Sequence, residues 1–258
     1  MIRKALHAGT FYPRFGNQIQ DSITKWTKDT MPSAANEHSL GIILPHAGYV
    51  YSGACAALGL ASVAGERWDS IIIVHPSHQG IHFDFSVSPF NEYRILSPAG
   101  EKELELDYHR LEHSLEIQLP LIKHFFPNAT ICPVMLGNQI PSVAQRLGAL
   151  LYDAVYKSAR RILIVVSSDL SHYHDSDTAE KMDAQLIRYV TELNPEGLWR
   201  GHDLGKLEAC GIGGIATLLY MASQYRSPKV RVIDYTHSGK VSGMNNQVVG
   251  YLAAKIFE

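Results

Sequence analysis

Short apolar runs alternate along the chain with longer stretches of helical spacing. Leu40–Leu44, Ser70–Val74, Ala129–Leu136 and Arg161–Val166 are rich in β-branched residues and read as strands. They are nearly continuous in apolar character rather than alternating, which predicts a sheet covered on both faces. Phe85–Pro89 alternates, as a half-exposed strand does. Tyr51–Val63, Val143–Tyr156, Ala179–Leu193 and Ile212–Tyr225 read as helices. His113–Phe126 places Leu115, Leu119, Ile122 and Phe126 at helical spacing, with Pro120 expected to kink it or start a new turn. Val230–Tyr235 and Gln247–Ala253 close the chain as strands. Strands alternating with helices predict a layered α/β fold, with a largely parallel or mixed central sheet flanked by helices. No linker, low-complexity run or charge block divides the chain, so residues 1–258 are expected to form a single domain.

Composition narrows the partners. Of 258 residues, 46% are hydrophobic and 19% charged, an ordinary globular balance. The formal net charge is -2, so no basic excess points to nucleic acid. No apolar run is long enough to span a bilayer, and the start, MIRKALHAGTFYP, lacks the apolar segment of a signal peptide. Three cysteines, Cys55, Cys132 and Cys210, make no disulfide framework and fit a reducing cytoplasm.

The chemistry gathers where strands end. Leu40–Leu44 runs into His46, Ile71–Val74 into His75 and His78, and Ile162–Val166 into Ser167-Ser168-Asp169-Leu170-Ser171-His172. Ligands of open α/β sheets sit beyond the carboxyl ends of strands. Neighbouring strands would therefore bring His46, His78, Asp169 and His172 to one rim. Glu208–Gly214, EACGIGG, adds Cys210 just before the Ile212 helix. Imidazole and thiolate suit iron, copper or zinc. Each residue alone has a plainer role. His75 reads as a packed histidine, Asp169 as a turn cap and Cys210 as a small buried hydrophobe. His82, His109, His124, His174, His202 and His237 read as surface or loop residues. The set of strand ends, not any one residue, favours a site.

Seven segments occur in an order that resembles the Memo family, which includes the prokaryotic AmmeMemoRadiSam system protein B group. They are HAGTFYP, PHAGYVYSG, PSHQG, EHSLEIQLP, PVMLG, VVSSDLSHY and ACG, and they cover essentially the whole chain. The resemblance implies a fold like that of the class III extradiol dioxygenases (LigB-like), which are non-haem iron enzymes. It also implies a metal pocket of His46, His78 and Cys210, with Asp169 and His172 as neighbouring, catalytic residues. Tyr49, Tyr51, His7 and Phe11 fall at positions near the pocket mouth, and His113 at one that holds a ligand or substrate. Three departures stand out. Gln79 follows PSH where a second histidine is frequent, Phe11 replaces the tryptophan of animal relatives, and a cysteine stands where the dioxygenases use a carboxylate. A thiolate is softer and oxidisable, which weakens the expectation of ring cleavage and favours Cu(I) or Zn.

Three functional readings follow. The first is an iron- or copper-dependent oxidoreductase acting on a small organic substrate, with His172 as acid/base. The second is a metal-binding protein without turnover that docks a partner. The third is a metal-free enzyme with Cys210 as nucleophile. The resemblance further implies AMMECR1-like and radical SAM proteins as partners.

Overall fold

The apolar runs that end in histidines lie side by side. In the computed structural model, which describes residues 2–30, 37–80, 83–90, 92–93 and 108–258, the strands are as follows. They are β1 Ile2–Arg3, β2 Ser39–Leu44, β3 Ser70–Pro76, β4 Phe85–Val87, β5 Glu92–Tyr93, β6 Thr130–Leu136, β7 Ile162–Ser167, β8 His172–His174, β9 Lys229–His237 and β10 Val248–Phe257. The longer helices are α1 Gly16–Thr27, α2 Tyr49–Ala61, α5 Gln118–Phe125, α6 Pro141–Tyr156, α7 Ser176–Thr191, α8 Pro195–Asp203 and α9 Ile212–Ala222. Three short turns of helix, α3 Tyr108–Leu111, α4 His113–Glu116 and α10 Gly239–Ser242, complete the set.

The main sheet runs in the order β4-β6-β3-β7-β2-β10-β8, with β9 on β10. Its centre, β6-β3-β7-β2, is parallel, and β4, β8, β9 and β10 add antiparallel pairs. The α/β fold with a mixed, mostly parallel sheet is thus the one expected. A separate ladder pairs β1 with β5.

Continuous hydrophobicity in the strands has its expected cause. Ile164 and Val166 of β7 enter one core with residues of α6, α7, α8 and α9. Leu163 and Val165, one residue out of phase, enter the other core with residues of α1, α2 and α5. Period-two alternation therefore sends apolar groups to both faces, and the polar residue of β7 stands only at its carboxyl end, Ser167.

The helix read over 113–126 is broken. α4 stops at Glu116 and α5 starts at Gln118, so Pro120 falls in the first turn of a new helix, where its missing N–H costs little. Two of the histidines read as surface residues are buried, His109 and His237, at 5% and 3% exposure. His109 reaches Ser86 Oγ on β4 and His237 reaches Glu180 on α7, contacts that local polarity does not foretell. His82 lies outside the described residues. No helix among the described residues is long and apolar enough to cross a membrane.

Candidate metal centre

The order β3-β7-β2 makes the carboxyl ends of these three strands immediate neighbours, with Leu44 opposite Ser167 and Val74 opposite Val166. Their continuations carry His78, Asp169 and His46. Cys210 arrives from the segment before α9 and is fastened to the end of β7. Its N–H donates to the Asp169 carbonyl at 3.2 Å, and Gly211 N donates to Ser168 Oγ at 2.9 Å. A Cβ on Gly211 would meet the Ser167 carbonyl oxygen at 2.6 Å, so only glycine allows this approach. Gln139, just before α6, clasps the same segment. Its side chain donates to the Cys210 carbonyl at 2.6 Å and accepts from Gly213 N at 2.8 Å.

The result is a compact donor set. His46 Nε2 and Cys210 Sγ are 3.3 Å apart. One donor atom from each of His46, His78 and Cys210 lies within 4.8 Å of the other two. Bonds of roughly 2.0–2.3 Å at tetrahedral angles separate two ligands by about 3.3–3.8 Å. The triad therefore fits a single metal ion with slight closure. His46 is buried, Cys210 half-buried, and His78 opens to solvent.

A second cluster, His78, Glu112 and His113, has the same spacing, but its contacts are those of hydrogen bonds. Glu112 Oε1 takes His78 Nδ1 at 2.7 Å and Ser114 N at 3.1 Å, and faces His113 Nδ1 at 3.3 Å. Glu112 Oε2 takes His78 N at 2.7 Å. The carboxylate is wholly buried and takes three hydrogen bonds, two of them from His78, so it acts as an orienting group. Burial opposes its ionisation, but the hydrogen bond and charge of His78 hold its carboxyl well below the usual range.

Burial works against charge on the ligands and their neighbours. Burial, with the charges of His113 and His78, holds His46 well below the ordinary imidazole value. Burial pulls His113 down to about 4, with His78 adding to it. Burial, then Asp169, push the Cys210 thiol up. Asp169 accepts His46 N at 2.7 Å on Oδ1. Its burial raises the carboxyl to about 7 against the pull of the His46 and Ala47 amides. Asp169 N in turn donates to Cys210 Sγ at 3.2 Å.

The remaining residues singled out from sequence divide. His7, Phe11 and His113 form a wall of rings beside the triad. The His7–Phe11, Phe11–His113 and His113–His78 centroids are 5.3, 5.2 and 4.5 Å apart. His172 on β8 donates its N–H to Glu208 at 3.3 Å, and its half-buried ring packs on Tyr173 at 5.9 Å. Burial lowers its pKa. Tyr173 has φ 62, a left-handed conformation unusual for a side chain of this size. Tyr51 is exposed, whereas Tyr49 sits in the core and donates its hydroxyl to the Ile117 carbonyl at 2.9 Å. Glu208 serves His172 and His174 rather than the triad. His75 is buried, with Nδ1 3.1 Å from Ser114 Oγ. A cleft of about 650 Å³ lined by Arg67, Trp68, Asp69, Thr130 and Arg160 lies at the opposite, amino-terminal ends of β3, β6 and β7, away from this chemistry.

Sequence reasoning passed over the residues that hold the site in place. Glu116 accepts from Leu6 N at 2.9 Å, His7 N at 2.8 Å and the Tyr12 hydroxyl at 2.9 Å, and pairs with fully buried Arg3 at 2.7 Å. It thereby moors the segment that carries His7 and Phe11. Glu112, Ser114, Glu116 and Gln118 are polar yet fully buried, interleaved with His113, Leu115 and Ile117. That interleaving was the available signal.

A family model described as "Memo-like protein" matches residues 3–255. The chain is 32% identical to a "MEMO1 family protein" of Thermotoga maritima, with both chains covered completely. It is 30% identical to one of Nitrosopumilus maritimus, with 99% of each covered. A crystal structure of the uncharacterized protein JW3007 of Escherichia coli K12 shares the fold. Its TM-score is 0.52 at 13% identity, covering 84% of this chain and 99% of that one. Matched from end to end by the family model and by relatives at about 30% identity, the chain belongs to the Memo family.

Proposed function

We propose that the protein binds one redox metal ion, iron or copper, through His46, His78 and Cys210, and that the loaded site oxidises or reduces a small organic substrate. The observation that supports this is the donor set itself: two imidazoles and a thiol within 4.8 Å at adjacent strand ends, with His46 Nε2 3.3 Å from the sulfur. Two histidines and one anionic ligand leave coordination positions open for a substrate. The bound ion would supply electron transfer and Lewis acidity, and would hold the thiol as thiolate.

The chain's own residues supply the rest. Glu112 orients His78 and Ser167 orients His46. The rings of His7, Phe11 and His113 form one wall beside the ligands. The buried Asp169 carboxyl would hold or release a proton beside the ligands His46 and Cys210, and His172 is the further acid/base on β8. A reducing cytoplasm belongs to the same reading, since it keeps Cys210 a thiol. So do AMMECR1-like and radical SAM partners, which would act in the same reaction sequence.

Metal binding without turnover is the second reading, and the thiol among the ligands motivates it. A metal-free cysteine nucleophile is disfavoured, because burial pushes the Cys210 thiol up and away from thiolate. Anaerobic titration with Cu(I) and with Fe(II), followed by oxygen uptake over a panel of catechols and other small reductants, tests the proposal. The expected result is one equivalent bound, lost in Cys210→Ser, with uptake for at least one compound. Binding without uptake selects the second reading, and no binding of either ion refutes the site.

A further inference from the structure

The hydrogen-bond partners around the two histidines leave little freedom in where their protons sit. Ser167 Oγ has three neighbours: the Ser114 carbonyl at 2.8 Å, Gln118 Nε2 at 3.0 Å and His46 Nδ1 at 2.9 Å. A carbonyl only accepts, so the single hydroxyl proton of Ser167 goes to Ser114. The orientation of Gln118 is set independently, because its amide nitrogen also faces the Pro45 carbonyl at 2.8 Å. Gln118 therefore donates to Ser167. The remaining lone pair of Ser167 has to receive a proton from His46, which places that proton on Nδ1. Nε2 is left as a bare acceptor, aimed at Cys210 Sγ at 3.3 Å.

His78 reaches the same state by a different route. Its Nδ1 lies 2.7 Å from Glu112 Oε1, and its backbone N–H takes Oε2 at 2.7 Å. A carboxylate already receiving the amides of His78 and Ser114 is acceptor-only, so His78 Nδ1 carries a proton, and in the neutral ring Nε2 is then free. All four members of the Ser167 group, His46, Ser114, Ser167 and Gln118, are buried, so water does not offer the histidine another partner.

We infer that Ser167 and Glu112 are positioning residues that fix both histidines as the Nδ1–H tautomer in the metal-free protein, so that both Nε2 lone pairs face the site before any ion arrives. This goes one step beyond the proposed metal site and rests on it only for its purpose; the tautomers themselves are properties of the free protein. Outer partners of this kind typically contribute 10–100-fold to metal affinity. Ser114 and Gln118 act behind Ser167, one by consuming its proton and the other by filling a lone pair.

Long-range 1H–15N NMR on metal-free, 15N-histidine-labelled protein at pH 8 reads the tautomers directly, with signals assigned by their loss in His46→Asn and His78→Asn. The expected spectrum shows protonated Nδ1 and unprotonated Nε2 for both residues. In Ser167→Ala, His46 should shift toward a tautomer mixture or to Nε2–H while His78 stays unchanged, and Cu(I) affinity should fall 10–100-fold. Glu112→Gln should disturb His78 and leave His46. An Nε2–H signal for either histidine in the unmodified protein overturns the inference, and this holds even where a variant fails to fold. The two readings fail separately. Correct tautomers with no metal uptake sink the metal site alone. Tight metal binding with Nε2–H histidines sinks the positioning role alone.

Discussion

Substituting Glu116 by glutamine tests how the amino-terminal segment is tied to the site. The change keeps the shape and removes the charge that faces Arg3 Nη1 at 2.7 Å, both side chains being fully buried. The new amide NH₂ must also point at one of the donors now satisfied: Leu6 N, His7 N or the Tyr12 hydroxyl. Breaking one partner of a buried ion pair costs roughly 3–5 kcal/mol, because the other charge stays buried. Arg3 keeps the carbonyls of His109, Arg110 and Glu112 as partners, which places the expected loss near the lower end, about 3 kcal/mol. Against a global stability of about 5–15 kcal/mol that is a large fraction. With a urea slope of about 3 kcal/mol/M the midpoint should fall by about 1 M. Removing the stranded charge as well, in Arg3→Met with Glu116→Gln, should cost at least about 1 kcal/mol less than the two single changes added together. Urea unfolding of the four proteins of this cycle measures both quantities. A midpoint shift below about 0.3 M, or strict additivity, would refute the claim that Glu116 holds the segment by a charge-compensated clamp.

Other expectations follow from the same contacts. Gly211→Ala forces a Cβ to within 2.6 Å of the Ser167 carbonyl, so the Cys210 segment has to lift; stability should fall by about 1–3 kcal/mol and Cu(I) affinity should drop, read by unfolding and by competition with a chromogenic chelator. His75 is held down to about 3 by burial, whereas an unfolded histidine titrates near 6.5. Its folded pKa is depressed, so the stability of the neutral ring is complete above pH 6.5 and is lost as pH falls toward 3, by about 2 kcal/mol at pH 5. His75→Gln should therefore lose less stability between pH 7 and pH 5 than the parent, and equal acid sensitivity in both would contradict this.

Much of the arrangement is visible in the sequence because the strands are buried on both faces. A run such as Ile71–Val74 has no polar alternative, and its abrupt end in histidines marks the sheet edge where ligands sit. Adjacency of the ends of β2, β3 and β7 is less legible, since the order of parallel strands is set by crossovers rather than by local pattern. The break between α4 and α5 is signalled by Pro120 alone, because the apolar spacing continues across it. Glu112 and Glu116 look like ordinary surface acids at a helix start. Their roles depend on partners as distant in sequence as Arg3 and His78, which no local reading supplies. Tyr49 adjoins PHAG in sequence, yet as the first residue of α2 its ring turns into the core against Tyr12 and Trp26. Tyr51, two positions on, faces outward.

The most direct test of the metal centre is elemental analysis by mass spectrometry on protein purified without oxygen, beside Cys210→Ser and His46→Ala. A site built from His46, His78 and Cys210 predicts iron or copper near one equivalent in the parent and loss in both variants. Absence of metal from the parent, even after reconstitution with Fe(II) and with Cu(I), or retention of the full equivalent in both variants, would contradict it.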